Sequence, residues 1–484
     1  MNYLELLKLA APEAIVVATA LVVLTIGLTT PRGMGLATGA ACLGLILAIG
    51  AVVSLPGNHA LPGGMLVISP LNSLFEVICL VLAAFTIVLA PGNRLERNRA
   101  EYLAIILLAT VGLLLLVTGE ELLMIFIGLE LTGLSLYVMT AFDRADVRSS
   151  EAALKYFLFG STSSAFTLFG VSLVYGMTGS TALSEVATKM HSAMSPLLAA
   201  GIVMTLVGLA FKIAAAPFHL WAPDAYQAAP PVSAGFIASA SKVAAFVVLG
   251  KIALIGFAPV PGSASWHAMI AGWTPLLAAL SALSILIGNF VALIQTNVRR
   301  LLAYSAVAHA GYSLIGLVAG AGNDGFRATL FYITVYAFTL VGAFGVVAIV
   351  RNETAGDDIT DFRGLASRSP WLAGCMTVFI LSLAGIPPLP GFFGKFYLFS
   401  AALGSGNEHG LLWLVALALF GSLVSLYYYL IVIRAMFQVE RAPVVGEPQH
   451  AVLPAVAIAI LAALVLALGL TPDLLLSRIA AGLP

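Results

Sequence analysis

Five lysines, Lys155, Lys212, Lys242, Lys251 and Lys395, fall within or at the edges of long apolar stretches, and Glu130 stands in the middle of another. A charge at mid-bilayer costs at least ~2.5 kcal/mol, so such residues normally face a protein interior and mark a transport path. Glu130, in Met124-Ile-Phe-Ile-Gly-Leu-Glu130-Leu-Thr-Gly-Leu-Ser135, lies far from both ends of its run and has nowhere to snorkel. Burial and a nearby cation act on a carboxylate in opposite senses, so Glu130 reads as a group that titrates or switches partners. The bland alternatives are a structural ion pair and a lysine whose head reaches water near a helix end, the reading favoured for Lys251.

The sequence around these charges is broken in specific places. In Gly208-Leu-Ala-Phe-Lys212-Ile-Ala-Ala-Ala-Pro217-Phe-His219, Pro217 removes a backbone donor, which predicts a helix break one turn past Lys212. His219 reads equally well as a proton relay near the cytoplasmic end and as a hydrogen-bonded interfacial histidine. Lys242 follows Ser239-Ala-Ser241, small residues that allow helices to approach closely and bury it. Ser305 and His309, four apart, share a helical face and read as a hydrated relay pair. The stretch Gly385-Ile-Pro387-Pro388-Leu-Pro390-Gly391-Phe-Phe-Gly394-Lys395 must be discontinuous, and interrupted helices are tolerated in membranes where they line protein-buried or watery cavities.

The elements carrying these residues are membrane spans. The chain has 484 residues, 61% of them hydrophobic and 9% charged, with mean hydropathy +1.06, whereas a soluble domain is about a quarter charged. Spans of about 20 residues with short loops give about 14 crossings, and apolar runs begin near residues 12, 34, 71, 101, 121, 151, 195, 230, 270, 301, 327, 371, 410 and 451. Arg32, Arg94, Arg97, Arg99, Arg144, Arg148, Arg299, Arg300, Arg351, Arg363, Arg368, Arg434 and Arg441 all follow odd-numbered runs. Only Lys8, Lys189, Arg327 and Arg478 fall on the other side, so the positive-inside rule puts the odd-run ends in the cytoplasm and both termini outside. The two interrupted runs, the seventh and twelfth, lie five runs apart, as inverted repeats of runs four to eight and nine to thirteen require. The N-terminus carries Glu5 and Glu13 and lacks the basic start of a signal peptide, so the first run reads as a retained span. Balanced charge, 22 basic and 22 acidic residues, points to no nucleic acid. Cys42, Cys79 and Cys375 are far apart in apolar runs, and no phosphate loop, dinucleotide fingerprint or metal-spaced cluster is present, so the chain is expected neither to hydrolyse ATP nor to bind a metal or redox cofactor.

Taken together, several stretches resemble the antiporter-like, proton-translocating subunits of respiratory NADH-quinone oxidoreductase (complex I), most closely the subunit N family, which includes mitochondrial subunit 2. They are Gly128-Leu-Glu130-Leu with Leu134-Ser-Leu-Tyr137; Glu151-Ala-Ala-Leu-Lys155-Tyr-Phe with Ser163-Ser164; Phe211-Lys212 through Pro217-Phe-His219-Leu-Trp-Ala-Pro223-Asp224; Ser241-Lys242-Val-Ala-Ala; Leu302-Ala-Tyr304-Ser305 to His309; and Gly385-Ile-Pro387-Pro388 to Gly394-Lys395.

The resemblance implies an all-α integral membrane protein of about 14 transmembrane helices, with two inverted five-helix repeats (101–257 and 270–435), N-terminal helices in 1–100, a last helix at 451–471 and two discontinuous helices. It implies that Glu130 and Lys212 pair in a cytoplasmic half-channel, that Lys242 is the central relay and that Lys395 leads to the outer half-channel. His309, His219 and Lys155 are secondary candidates. It implies proton translocation driven by electron transfer in other subunits, with NADH, FMN, iron-sulfur clusters and quinone held by those partners and none in this chain. The expected surroundings are a bacterial inner membrane and neighbouring antiporter-like and small membrane subunits. The rival reading is a subunit of an Mrp-type cation/proton antiporter, which shares the fold; buried acids are scarce for carrying sodium, which favours protons.

Overall fold

Inside a bilayer no water satisfies backbone N–H and C=O groups, so each apolar run must close its hydrogen bonds internally as a helix. The computed structural model describes residues 7–30, 34–55, 57, 59–90, 98–143, 145–190, 195–320, 323–405, 410–440, 442–443 and 452–483. Three N-terminal helices, α1 (Ala11–Thr29), α2 (Met34–Ser54) and α3 (Pro70–Leu89), precede α4 (Arg99–Thr118), α5 (Leu122–Thr140) and α6 (Val147–Thr178). Then come α7 (Pro196–Lys212), α8 (Trp221–Ala228), α9 (Pro231–Ala238) and α10 (Ala240–Lys251). The second half comprises α11 (Trp273–Ala292), α12 (Val298–Val318), α13 (Asn323–Thr354), α14 (Pro370–Ala384), α15 (Pro390–Gly404) and α16 (Leu412–Met436), followed by α17 (Val452–Leu470) and α18 (Asp473–Gly482).

Among the described residues, 12 helices are long and apolar enough to cross a membrane. The other two predicted runs are the broken ones, whose pieces α7 and α14 are shorter. The segments α9–α10, α12 and α13 are buried almost throughout, whereas α1, α6 and α16 expose many apolar side chains on their outer faces. The lysine-bearing segment therefore runs through the middle of the bundle.

The two halves repeat one local plan. Before α5, Leu122 N donates to Thr181 O and Leu183 N to Glu120 O, both at 2.9 Å; before α12, Val298 N donates to Asp357 O (2.9 Å) and Ile359 N to Thr296 O (2.8 Å). The residue at each bridge caps the helix that follows: Glu121 accepts from Met124 N at 2.7 Å and Asn297 from Arg300 N at 3.2 Å. The helices after these, α6 and α13, each have 32 residues.

Of the cations assigned to one side, Arg32, Arg94, Arg97, Arg144 and Arg441 lie outside the described residues, as does Glu5. Others meet at a common end of the bundle. Arg300 and Lys155 share Asp224 at 2.8 and 3.0 Å, Arg299 pairs with Asp357, Arg351 lies 3.8 Å from Asp357, and Arg363 bonds Glu440 at 3.2 Å.

Two corrections concern the breaks. The helix carrying Lys212 ends at that residue, a turn earlier than Pro217 suggested. The chain there supplies its own donors: Ala215 N takes Ala210 O at 2.8 Å, Trp221 Nε1 takes Phe211 O at 3.1 Å, and Ala214 turns into the left-handed region at φ 56°. A third interruption, without proline, separates α9 from α10 at Ser239 (φ −114°, ψ −78°). Its hydroxyl bonds back to Gly235 O at 2.6 Å, a competition with the helix ladder that serine favours.

Candidate proton-transfer site

Glu130 on α5 and Lys212 at the end of α7 line one small cavity with Tyr137, Ser163, Ser164 and Thr167. It encloses about 20 Å³, and one water needs roughly 10–15 Å³ by that measure. Ser164 Oγ donates to Glu130 Oε1, and no ion pair within 4.0 Å joins Glu130 to Lys212 among the described residues. The expected pair thus faces across a site with room for a single water. Ser163 Oγ is buried on the same wall without a partner among the described residues.

Lys242, on the first turn of α10, is 1% exposed and donates to Ala306 O on α12 at 2.7 Å. Its Nζ lies 5.7 Å from the centre of the Tyr336 ring. That ring is tilted against the His309 imidazole, 5.0 Å between centres. His309 Nδ1 meets the Tyr332 hydroxyl at 2.6 Å and Nε2 the Tyr429 hydroxyl at 3.0 Å. On its far side stands Tyr312, whose ring lies under Lys395 Nζ at 5.1 Å. His309 is therefore the centre of an aromatic belt with a lysine at each end.

Lys395 sits where α14 and α15 fail to join. Gly385, at φ 84°, ends α14, and Lys395 Nζ reaches back to Ala384 O (3.0 Å), Leu383 O (3.3 Å) and Ser422 Oγ (3.0 Å). The lysine thus satisfies carbonyls that the break leaves without helical donors.

The remaining candidates lie elsewhere. His219 occupies the irregular segment between α7 and α8, buried, its ring 6.3 Å from Tyr304 and its Nδ1 without a partner among the described residues. Lys155 is 44% exposed and bound to Glu151 and Asp224, part of the ionic cluster at the bundle end. Ser305 and His309 share a helix as expected; the Ser305 hydroxyl donates to Leu302 O at 2.8 Å, and tyrosine hydroxyls meet the imidazole. Lys251 does not snorkel: it is 3% exposed, donating to Val117 O at 2.7 Å with Glu120 3.4 Å away. The sequence reading missed the tyrosines of the belt, although Tyr332 and Tyr336, four apart, had to share a helical face. It also missed Glu76 and Glu13, which are 2% and 7% exposed.

A broken-helix bundle with lysines buried at its interruptions defines a class, the antiporter-like membrane subunits. Residues 119–425 match the family described as NADH:quinone oxidoreductase/Mrp antiporter, TM, and the chain belongs to it. More narrowly, it belongs to the family of NADH-quinone oxidoreductase subunit N. It is 44% identical to NADH-quinone oxidoreductase subunit N 2 of Acidobacterium capsulatum, over 98% of this chain and 99% of that one. A chain of respiratory complex I from Thermus thermophilus superposes with TM-score 0.80 at 33% identity, covering 97% of this chain and 100% of that one. A chain of the Mrp complex from Dietzia superposes with TM-score 0.82, but at 21% identity over 98% and 97% of the two chains it shares the fold alone.

Proposed function

We propose that this chain carries protons across the membrane along Glu130, Lys212, Lys242, His309 and Lys395, as a non-redox subunit of an NADH-quinone oxidoreductase. The observation that carries the reading is the belt in which Tyr336, His309 and Tyr312 bridge Lys242 to Lys395 through the centre of the bundle. In this reading a charge change at Glu130 alters its attraction for the Lys212 ammonium, and Lys212 gives up a proton toward Lys242. Moving one charge against 100 mV costs ~2.3 kcal/mol, within what such changes supply.

In this reading NADH, FMN, iron-sulfur clusters and quinone are held by partner subunits of the complex, which drive the transfer through contacts with this chain. The ionic end of the bundle faces the cytoplasm and both termini the periplasm, by the positive-inside rule. The Mrp-type alternative rests on fold alone.

The test is proton uptake per NADH oxidised in membranes bearing Glu130→Gln or Lys212→Ala. Each is expected to lower pumping about tenfold, equivalent to ~1.4 kcal/mol on the limiting step. Normal assembly with the parental ratio of protons to electrons contradicts the path.

A further inference from the structure

The proposed path leaves one buried titratable cluster unused. Glu76, on the outward-facing half of α3, is 2% exposed, and its Oε2 has no hydrogen-bond partner among the described residues. Glu13 on α1 and Lys251 on α10 are charged groups within electrostatic reach of its carboxyl. Glu13 is likewise buried, with Oε2 unpartnered among the described residues. Lys251 is hydrogen-bonded to Val117 O and lies 3.4 Å from Glu120, whose side chain is 27% exposed and therefore open to solvent.

Of the other elements around α3, α4 carries Arg99 and Glu101 in its first turn, beside the Leu89 end of α3 and away from Glu76. Neither α2 nor α9 nor α17 carries a charged residue. Asp473 and Arg478 of α18 are exposed, while that helix buries Leu475, Leu476 and Ile479. Asp324 and Arg327 of α13 line a separate cavity with Tyr397 and Asp473. Cys79, one turn along α3, is a neutral neighbour.

Two buried carboxylates beside one ammonium, itself engaged by a third carboxylate, leave uncompensated negative charge in an apolar setting. Such a site lowers its energy when an acid in it is neutral. We infer that Glu76, with Glu13, is a proton-holding site on the outer side of the first repeat, exchanging its proton with the outer aqueous phase by way of Lys251 and Glu120. In the exchange an N–H of the Lys251 ammonium breaks as an O–H forms on the Glu120 carboxylate, which releases that proton to water; the amine left on Lys251 is then reprotonated as the carboxyl O–H of Glu76 breaks. Lys251 lies nine residues beyond Lys242, about 13 Å along the helix at 1.5 Å per residue. The cluster therefore lets the first repeat respond to the outer proton concentration.

This inference rests on the reading that the chain moves protons. It is tested with the intact complex in inverted membrane vesicles, where the outer face is the lumen, by varying lumenal pH at fixed external pH and following NADH oxidation and proton uptake. In the parent, activity is expected to fall as the lumen is acidified. Glu76→Gln, at normal abundance, is expected to flatten that dependence several-fold, and Glu76→Asp to restore much of it. An unchanged lumenal pH profile in Glu76→Gln overturns the inference, as does a profile that follows lumenal sodium at fixed pH. A Glu76→Asp variant as flat as Glu76→Gln also overturns it, since a titrating carboxyl is then not what matters. Lys395→Arg, measured in the same vesicles, separates the two readings: impaired pumping there with a parental profile in Glu76→Gln removes only the outer site.

Discussion

At the scale of single residues, His309 stands at the centre of the proposed path. Its two nitrogens are both taken by tyrosine hydroxyls, Tyr332 and Tyr429, and the imidazole is buried. Removing one hydroxyl leaves a buried polar atom unpaired at about 1–3 kcal/mol. Tyr332→Phe is therefore expected to slow pumping about tenfold while the chain still assembles, and His309→Ala to slow it further; stopped-flow proton uptake checks both. Equal rates in all three proteins remove His309 from the path. Glu130, Lys212, Lys242 and Lys395 were legible in the sequence because charge inside an apolar run is costly and conspicuous. The tyrosines were not, since an aromatic residue in such a run reads as ordinary core. Glu76 escaped for a different reason: it lies closer to its helix start than Glu130 does, where a carboxylate looks interfacial.

At the scale of elements, the interruptions position the chemistry. Lys212 ends α7, Lys242 begins just after the Ser239 break, and Lys395 reaches back across the gap between α14 and α15. Proline and glycine announced the first and last of these from the sequence. The break at Ser239 was hidden, because serine neither fixes the backbone nor lacks a donor, and the bond of its hydroxyl to Gly235 O also occurs in unbroken helices, as at Ser135 and Ser313. Gly391 illustrates the packing demand at the third break: a Cβ there would collide with the Ser382 carbonyl oxygen. Gly391→Val is expected to lower the amount of chain in the membrane several-fold, whereas Gly404→Ala, with open space around its site, leaves it unchanged. Immunoblotting of membranes against an unaltered subunit is the measurement, and parental abundance in Gly391→Val shows that the two segments do not need their close approach.

At the scale of the whole molecule, the apolar runs and charge asymmetry anticipated a helical bundle, and the ion pairs of Lys155 and Arg300 with Asp224, and of Arg299 and Arg351 with Asp357, gather those groups at one end. The arginine excess makes that end the proposed cytoplasmic one. Cysteines replacing Arg363 and Ser405 are accordingly expected to react with an impermeant maleimide from the cytoplasmic and outer sides respectively; labelling of both from one face contradicts the topology. The central claim is that charge crosses this bundle by release and capture at buried lysines. Lys395 tests it most directly, because its contacts with Leu383 O and Ala384 O also suit a fixed structural cation. Arginine keeps the charge and the donors but, with a pKa above ~12, does not release a proton. The decisive measurement is proton uptake into inverted membrane vesicles at matched NADH oxidation rate in Lys395→Arg, with subunit abundance checked alongside. The account predicts normal abundance and pumping as poor as in Lys395→Ala. Full pumping in the arginine variant contradicts it, and leaves Lys395 as a cap on a broken helix.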